Sequence, residues 1–192
     1  MPKNIFYRRI RPYPFAKGLR KPLRWFTSDT HFGHSNIISY CARPFKTSKE
    51  MDEALIANWN ECIQEQDEVF FLGDFALGGL DYQQQIFDSL NGQKILIRGN
   101  HDGSISRMKA VGFDHVFESA FIKINGFDVY LVHVPPVSPD IFTIHGHIHE
   151  KAGPFFIKKN LNVSVDAWKF RPVNETQIDR LMRKYIRENK HV

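Results

Sequence analysis

An α/β fold built on a parallel sheet is what this sequence predicts, and three observations predict it. Short apolar runs alternate with stretches of helical periodicity through the first hundred residues. That strand–helix–strand–helix–strand order calls for parallel pairing through right-handed crossovers. Five apolar runs also end directly in Asp, Asn or His, and the carboxyl ends of strands are where open α/β sheets bind ligands.

The first strand spans 24–28 and runs into Asp29-Thr30-His31-Phe32-Gly33-His34, followed by a short helix over 35–41. Ser48 reads as an N-cap, with Met51, Leu55, Ile56, Trp59 and Ile63 on one helical face. The second strand, 68–72, ends in Gly73-Asp74. A Gly78-Gly79 turn leads to a helix over 81–90, closed by Asn91-Gly92. The third strand, 94–98, delivers Arg98-Gly99-Asn100-His101-Asp102, and loops are expected near 75–81, 103–108 and 134–140. Asn125-Gly126 between two alternating runs marks a hairpin whose second strand ends at His133. Shorter strands are expected near 141–144, 154–158 and 161–165, the first reaching His145-Gly146-His147-Ile148-His149. Asn174 and Gln177 form a capping box for a last helix with the stripe Ile178, Leu181, Met182, Tyr185 and Ile186. Its opposite face, Arg180, Arg183, Lys184 and Arg187, reads as solvated.

The chain has 192 residues, enough for one domain with a proper core, and 42% of them are apolar. Cys41 and Cys62 are too few for a disulfide scaffold and read as ordinary helix-face residues. With no C-x-x-C pair and no secretory apolar region, a reducing, cytoplasmic setting is expected. No apolar run approaches the ~20 residues that span a bilayer. Eight of the 26 basic residues and none of the 21 acidic ones fall in 1–24, so the rest of the chain is net acidic. Residues 1–24, with four prolines and interleaved aromatics, read as a basic arm ahead of a domain over 25–192. The arm is expected to wrap that domain or to touch phosphates of a nucleic acid or nucleotide.

Asp29, His31, Asp74, Asn100, His133, His147 and His149 make a mixed oxygen and nitrogen donor set. Imidazole with carboxylate suits first-row divalent ions. Seven groups exceed what one ion with an open position needs, and they divide between two ions if one carboxylate bridges. His147 and His149 share a face if the segment is extended, and diverge to neighbouring ions if it is a tight turn.

Asp-x-His, Gly-Asp, Gly-Asn-His-Asp, a lone His after an apolar strand and Gly-His-x-His follow one another in that order. The chain thereby resembles the calcineurin-like metallophosphoesterases over roughly residues 24–175. It is similar to their small single-domain bacterial and phage branch in the Asp29-to-Asn36, Arg43-Pro44-Phe45 and Asn162-to-Val173 regions. The resemblance implies a four-layer αββα sandwich with two metals at the strand ends. Asp29, His31 and His149 would hold the first ion, Asn100, His133 and His147 the second, and Asp74 would bridge. Manganese is the expected metal, with iron, zinc, nickel or cobalt also suited. His101 matches the catalytic histidine that protonates the leaving oxygen, and Asp102 is expected to orient it. His34, Arg43 and Arg98 are candidates for substrate contact.

The implied reaction is hydrolysis of a phosphodiester or phosphomonoester by hydroxide formed between the ions. A binding scaffold of the same fold would lack a ligand or the catalytic histidine, and none is missing. A nuclease using the basic arm would be expected to carry extra capping segments. A small nucleotide-type substrate is therefore favoured, with no membrane partner.

Overall fold

Four short strands stack in parallel because each is apolar on both faces and must be covered on both. They are β1 (Arg24–Thr27), β2 (Glu68–Phe71), β3 (Gln93–Ile97) and β4 (His115–Phe117). They lie in the order β4-β3-β2-β1, in a register that sets Phe26 beside Phe70 and Phe70 beside Ile95. The two-residue strand β9 (Val173–Asn174) adds antiparallel to the free edge of β1. This is a computed structural model, and it describes residues 20–189. The expected arm lies outside the described residues up to position 19. Arg24 opens β1, and Arg20 pairs with the buried Asp67.

The connecting helices are α1 (Ser35–Tyr40), α2 (Ser48–Cys62), α3 (Leu80–Ser89) and α4 (Ile105–Val111). Met51, Leu55 and Trp59 of α2, Ile86 of α3 and Met108 of α4 join Trp25, Val69, Phe71 and Leu96 in one apolar core. Burying side chains of this size contributes roughly 1.5–3 kcal/mol each. The cap of α2 is Thr47, whose hydroxyl accepts from Glu50 N, and Ser48 is the first helical residue. The loop expected over 103–108 is instead largely helix. Ser104 accepts from Arg107 N and Gly112 ends the turn in a left-handed conformation.

The second sheet has the order β5-β6-β7-β8. Its hairpin joins β5 (Ser119–Ile124) and β6 (Phe127–Val132) across Asn125-Gly126, both at positive φ as a type I′ turn requires. Strands β7 (Phe142–His145) and β8 (Asn160–Asn162) follow in parallel. The strand expected over 154–158 does not form. Gly153 O accepts from Phe155 N, and Ile157 and Asn160 exchange backbone hydrogen bonds around Lys158 and Lys159, both left-handed. The two sheets face each other over a second core containing Phe26, Phe70, Ile95, Ile122, Val129, Leu131 and Ile144. Helix α5 (Glu175–Glu188), with both halves of the Asn174–Gln177 capping box in place, adds Ile178 and Met182 to it. Two stacked sheets flanked by helices are the αββα arrangement expected. No helix among the described residues is long and apolar enough to cross a membrane.

Candidate metal centre

The segments leaving β1, β2, β3, β6 and β7 meet at one end of the two sheets. Beyond β1 and β2 the chains run on side by side. Asp29 N donates to Gly73 O at 2.9 Å, His31 N to Asp74 O at 3.1 Å and Phe32 N to Phe75 O at 3.0 Å. Asp29, His31 and Asp74 are all left-handed, with φ of 57°, 50° and 61°. His147 and His149 are too, at 72° and 50°. The turn reading of His147-Ile148-His149 therefore holds. His147 goes toward Asn100, with Nδ1 3.0 Å from Oδ1, while the His149 ring lies 5.3 Å from that of His31.

Glycine permits the close approach of these loops. A Cβ on Gly73 would stand 2.6 Å from both the Gly99 Cα and the His133 Nδ1. One on Gly146 would meet Asp29 Oδ2 at the same distance.

Two sets of donors converge. Asp29, His31 and His149 each bring an atom within 4.8 Å of the others, and so do Asp29, Asp74 and His133. Asp29 is common to both sets, and Asp74 Oδ2 lies 3.5 Å from His31 Nε2 and 3.4 Å from His133 Nε2. His31 is 2% exposed, yet neither ring nitrogen has a hydrogen-bond partner among the described residues. A buried imidazole without partners is costly unless something else occupies its lone pair. Burial holds the His31 imidazole below the usual histidine range, hence neutral, against the pull of Asp74.

At His133, Nδ1 lies 2.7 Å from the Leu72 carbonyl, which can only accept, so Nδ1 carries a proton. Its Nε2 is 2.9 Å from Asn100 Oδ1, itself 3.0 Å from His147 Nδ1. Three potential acceptors share one point, an arrangement that a proton or a cation reconciles. Burial alone would lower the His133 pKa, but Asp74 and Asp29 outweigh it and push it up to about 9. The site calls for positive charge. These residues fit divalent ions, which Asp29, His31, Asp74, Asn100, His133, His147 and His149 could hold between them.

His101 is exposed at the mouth, its ring 5.4 Å from that of His31 and its backbone N–H donating to Asp74 Oδ1 at 2.9 Å. Asp102 does not take the orienting role expected of it. Its carboxylate turns away into the protein and accepts from Asp74 N, Phe75 N and Gly99 N at 3.0, 2.9 and 2.7 Å. His34 stands beside His31, with ring centroids 5.5 Å apart. One of the two arginines, Arg43, is not free to meet substrate as expected. Arg98 forms an exposed two-bonded pair with Glu118 through Nε and Nη2. Arg43 is buried behind the loop, bonded to Asp166 and to the carbonyls of Asp29 and Thr30.

Asp166 and Asn162 were not picked out individually, although both lie in the Asn162-to-Val173 stretch. Asp166 Oδ2 accepts from His149 Nδ1 at 2.9 Å, which leaves His149 Nε2 for an ion. Asn162 Nδ2 donates to His149 O. Nor is Cys41 a plain helix-face residue. It caps α1 within reach of His149 and Asp166, where burial, Asp166 and Glu150 push its thiol up to about 12. Asp52 accepts from Gly33 N and Tyr82 Oη, bracing the loop between His31 and His34 from a cleft of about 480 Å³ between α2 and α3.

The chain is 36% identical to an uncharacterized protein of Methanocaldococcus jannaschii over 171 residues, covering 83% of this chain and 91% of the relative. It is 30% identical to the gene 66 protein of Mycobacterium phage L5 over 184 residues, covering 75% and 86% respectively. A solved structure of a protein of unknown function from Aquifex aeolicus superposes with a TM-score of 0.69 at 26% identity, covering 84% of this chain and all of that one. Residues 24–190 match the calcineurin-like phosphoesterase family, and the chain belongs to that family.

Proposed function

We propose that this centre holds two divalent ions and hydrolyses a small phosphoester of the nucleotide type. The carrying observation is Asn100 Oδ1 at 2.9 Å from His133 Nε2 and 3.0 Å from His147 Nδ1, beside a His31 imidazole with no hydrogen-bond partner among the described residues. In this reading Asp29, His31 and His149 serve one ion, Asn100, His133 and His147 the other, and Asp74 lies between. Nitrogen and oxygen donors suit manganese, and equally iron, zinc, nickel or cobalt. When bound, such ions lower the pKa of water and neutralise charge on a phosphoryl group.

The chain's own residues do the rest. Asp74, ionised because His133 and the amide of His101 outweigh the cost of its burial, fixes the spacing of the two halves. The Asp74–His101 hydrogen bond sets the His101 backbone relative to that spacing. From the mouth, His101 donates a proton to the departing ester oxygen, a contribution of about 10²–10⁴ in rate. His34, also a candidate for substrate contact, stands with its ring 5.5 Å from that of His31.

The test is hydrolysis of p-nitrophenyl phosphate and bis-p-nitrophenyl phosphate by the manganese-loaded protein beside Asp74→Asn and His101→Ala. Metal-dependent cleavage of at least one ester is expected. Asp74→Asn should lose it with metal binding, and His101→Ala should lose it while keeping its metal. Native protein that binds manganese but cleaves neither these esters nor nucleotides would overturn the proposal.

A further inference from the structure

Behind one half of the centre lies a buried ion pair that the proposed reaction does not use. Arg43 is 4% exposed, and its guanidinium is fully engaged. Nε donates to Asp166 Oδ1 at 2.8 Å and Nη2 to Asp166 Oδ2 at 2.9 Å. Nη2 also donates to Asp29 O at 2.7 Å, and Nη1 to Thr30 O at 2.9 Å and Met51 Sδ at 3.3 Å. All five N–H groups of an arginine are thereby accounted for. Asp166 is equally committed: besides Arg43 it accepts from His149 Nδ1 at 2.9 Å and Ser164 Oγ at 3.2 Å.

One simpler role is excluded by this accounting. Arg43 has no donor left for a phosphate. Asp166 has both oxygens held by the guanidinium, and its Oδ2 is shared with His149 and Ser164. Nor is the pair an efficient source of stability, since buried ion pairs roughly break even against apolar residues of the same volume. What it does is geometric. One rigid fork grips the peptides at Asp29 and Thr30, where the backbone is left-handed on either side of Thr30, and through Asp166 it fixes the tautomer of His149. These are two separate chain segments, one leaving β1 and one following β7, and together they supply Asp29, His31 and His149. The other half is supported differently. His133 leans on the Leu72 carbonyl, and Asp102 clips the amides of Gly99 and Asp74.

We propose that Arg43 and Asp166 are positioning residues for the ion held by Asp29, His31 and His149, and for that ion alone. The inference rests on the two-ion reading above. Removing either residue should convert a protein that binds two ions into one that keeps the ion at Asn100, His133 and His147 and releases the other.

The experiment is titration of Mn²⁺ into metal-stripped native protein, Arg43→Lys, Arg43→Met and Asp166→Asn, read by calorimetry and by low-temperature electron paramagnetic resonance. Lysine retains the charge but cannot span two carbonyls and a carboxylate, and asparagine retains the volume of Asp166. These two variants carry the test if Arg43→Met fails to fold. The expected result is one class of site unchanged and one weakened about 10–100-fold, the usual size of such outer contacts. In step with it, the spectrum of a coupled pair should give way to that of an isolated Mn²⁺. Equal weakening of both sites in folded variants, or of neither, overturns the inference while leaving the two-ion reading intact. A native protein that takes up only one ion overturns that reading, and this inference with it.

Discussion

Replacing Asp102 by Ala separates two roles for that carboxylate. As an orienter of His101 it would matter to rate and pH profile, and little to stability. As a backbone clip it holds three amides, those of Asp74, Phe75 and Gly99, and is itself only 9% exposed. Each hydrogen bond to a charged group contributes about 1.5–3 kcal/mol. The carboxylate's own desolvation, which raises its pKa, offsets part of that sum, while three buried amides left without an acceptor cost about 1–3 kcal/mol each, for about 4 kcal/mol net. Against a total of about 5–15 kcal/mol, this is a large fraction. With a urea slope of about 2 kcal/mol per molar, the midpoint should fall by about 2 M. The assay is urea unfolding under a chelator, so that metal binding adds nothing to native stability. Asp102→Asn, whose single carbonyl can serve at most two of the amides, should fall between the two. A midpoint within about 0.3 M of native for Asp102→Ala, together with a displaced pH–rate profile, would refute the clip and restore the orienting role.

Two further predictions concern groups remote from the centre. Asp67 is fully buried and accepts from Arg20, Leu23 N, Gln64 N and Trp25 Nε1. Burial alone would raise its pKa, but the bonds from Arg20, Gln64 and Leu23 outweigh it and hold the carboxyl below the ordinary range. Its stabilisation is thus present above the unfolded pKa of about 3.9 and lost as pH falls through the lower folded value. Asp67→Asn should lower the urea midpoint at pH 7, and the gap to native should close in acid; a gap that persists would refute the assignment. Lys94, by contrast, is lowered to about 8 by burial while it donates to Leu90 O and Gly92 O. The unfolded chain binds the extra proton between that value and about 10.4, so native stability should rise with pH across this window. Urea midpoints at pH 7 and 9.5 should show that rise in the native protein and lose it in Lys94→Met.

The proposed ligand residues were legible because they follow closely on apolar runs, and strands are short enough for the break to be sharp. The hairpin at Asn125-Gly126 and the capping box at Asn174 were legible because both are local chemistry. Helix α4 was hidden because seven residues, Ile105–Val111, bury only Met108 and Val111, too few to set a period. Strand β9 is two residues long and exists only because the edge of β1 accepts it. Phe155-Phe156-Ile157 looks like a strand, but the left-handed pair Lys158-Lys159 turns the chain back at once. Arg43 and Asp166 are 123 residues apart. Each has an unremarkable local setting, and only their meeting in space removes Arg43 from the substrate and gives Asp166 a task. Asp102 misled for the opposite reason, since adjacency to His101 suggested a partnership that the turn does not permit.

The left-handed ligands bear on how the centre holds itself together. Such conformations cost roughly 1–3 kcal/mol each at a non-glycine residue, with Asp and His among the more tolerant types. Five together approach the stability of a whole domain, so the surroundings must impose them. The neighbouring peptides are gripped in turn: Gly73 O and Asp74 O take the amides of Asp29 and His31, Arg43 takes the carbonyls of Asp29 and Thr30, Asp102 takes the amide of Asp74, and the Asp29 carboxylate takes that of His147. None of these contacts involves an ion. The ligand loops should therefore stay ordered when metal is removed, unlike small metal-dependent domains that unfold without it. Amide hydrogen exchange tests this. The amides of Asp29, His31 and Asp74 should remain protected in chelator, within about tenfold of the manganese-loaded protein. Exchange at the rate of free loop amides after metal removal would mean that the ions, not the polar clips, impose the left-handed turns.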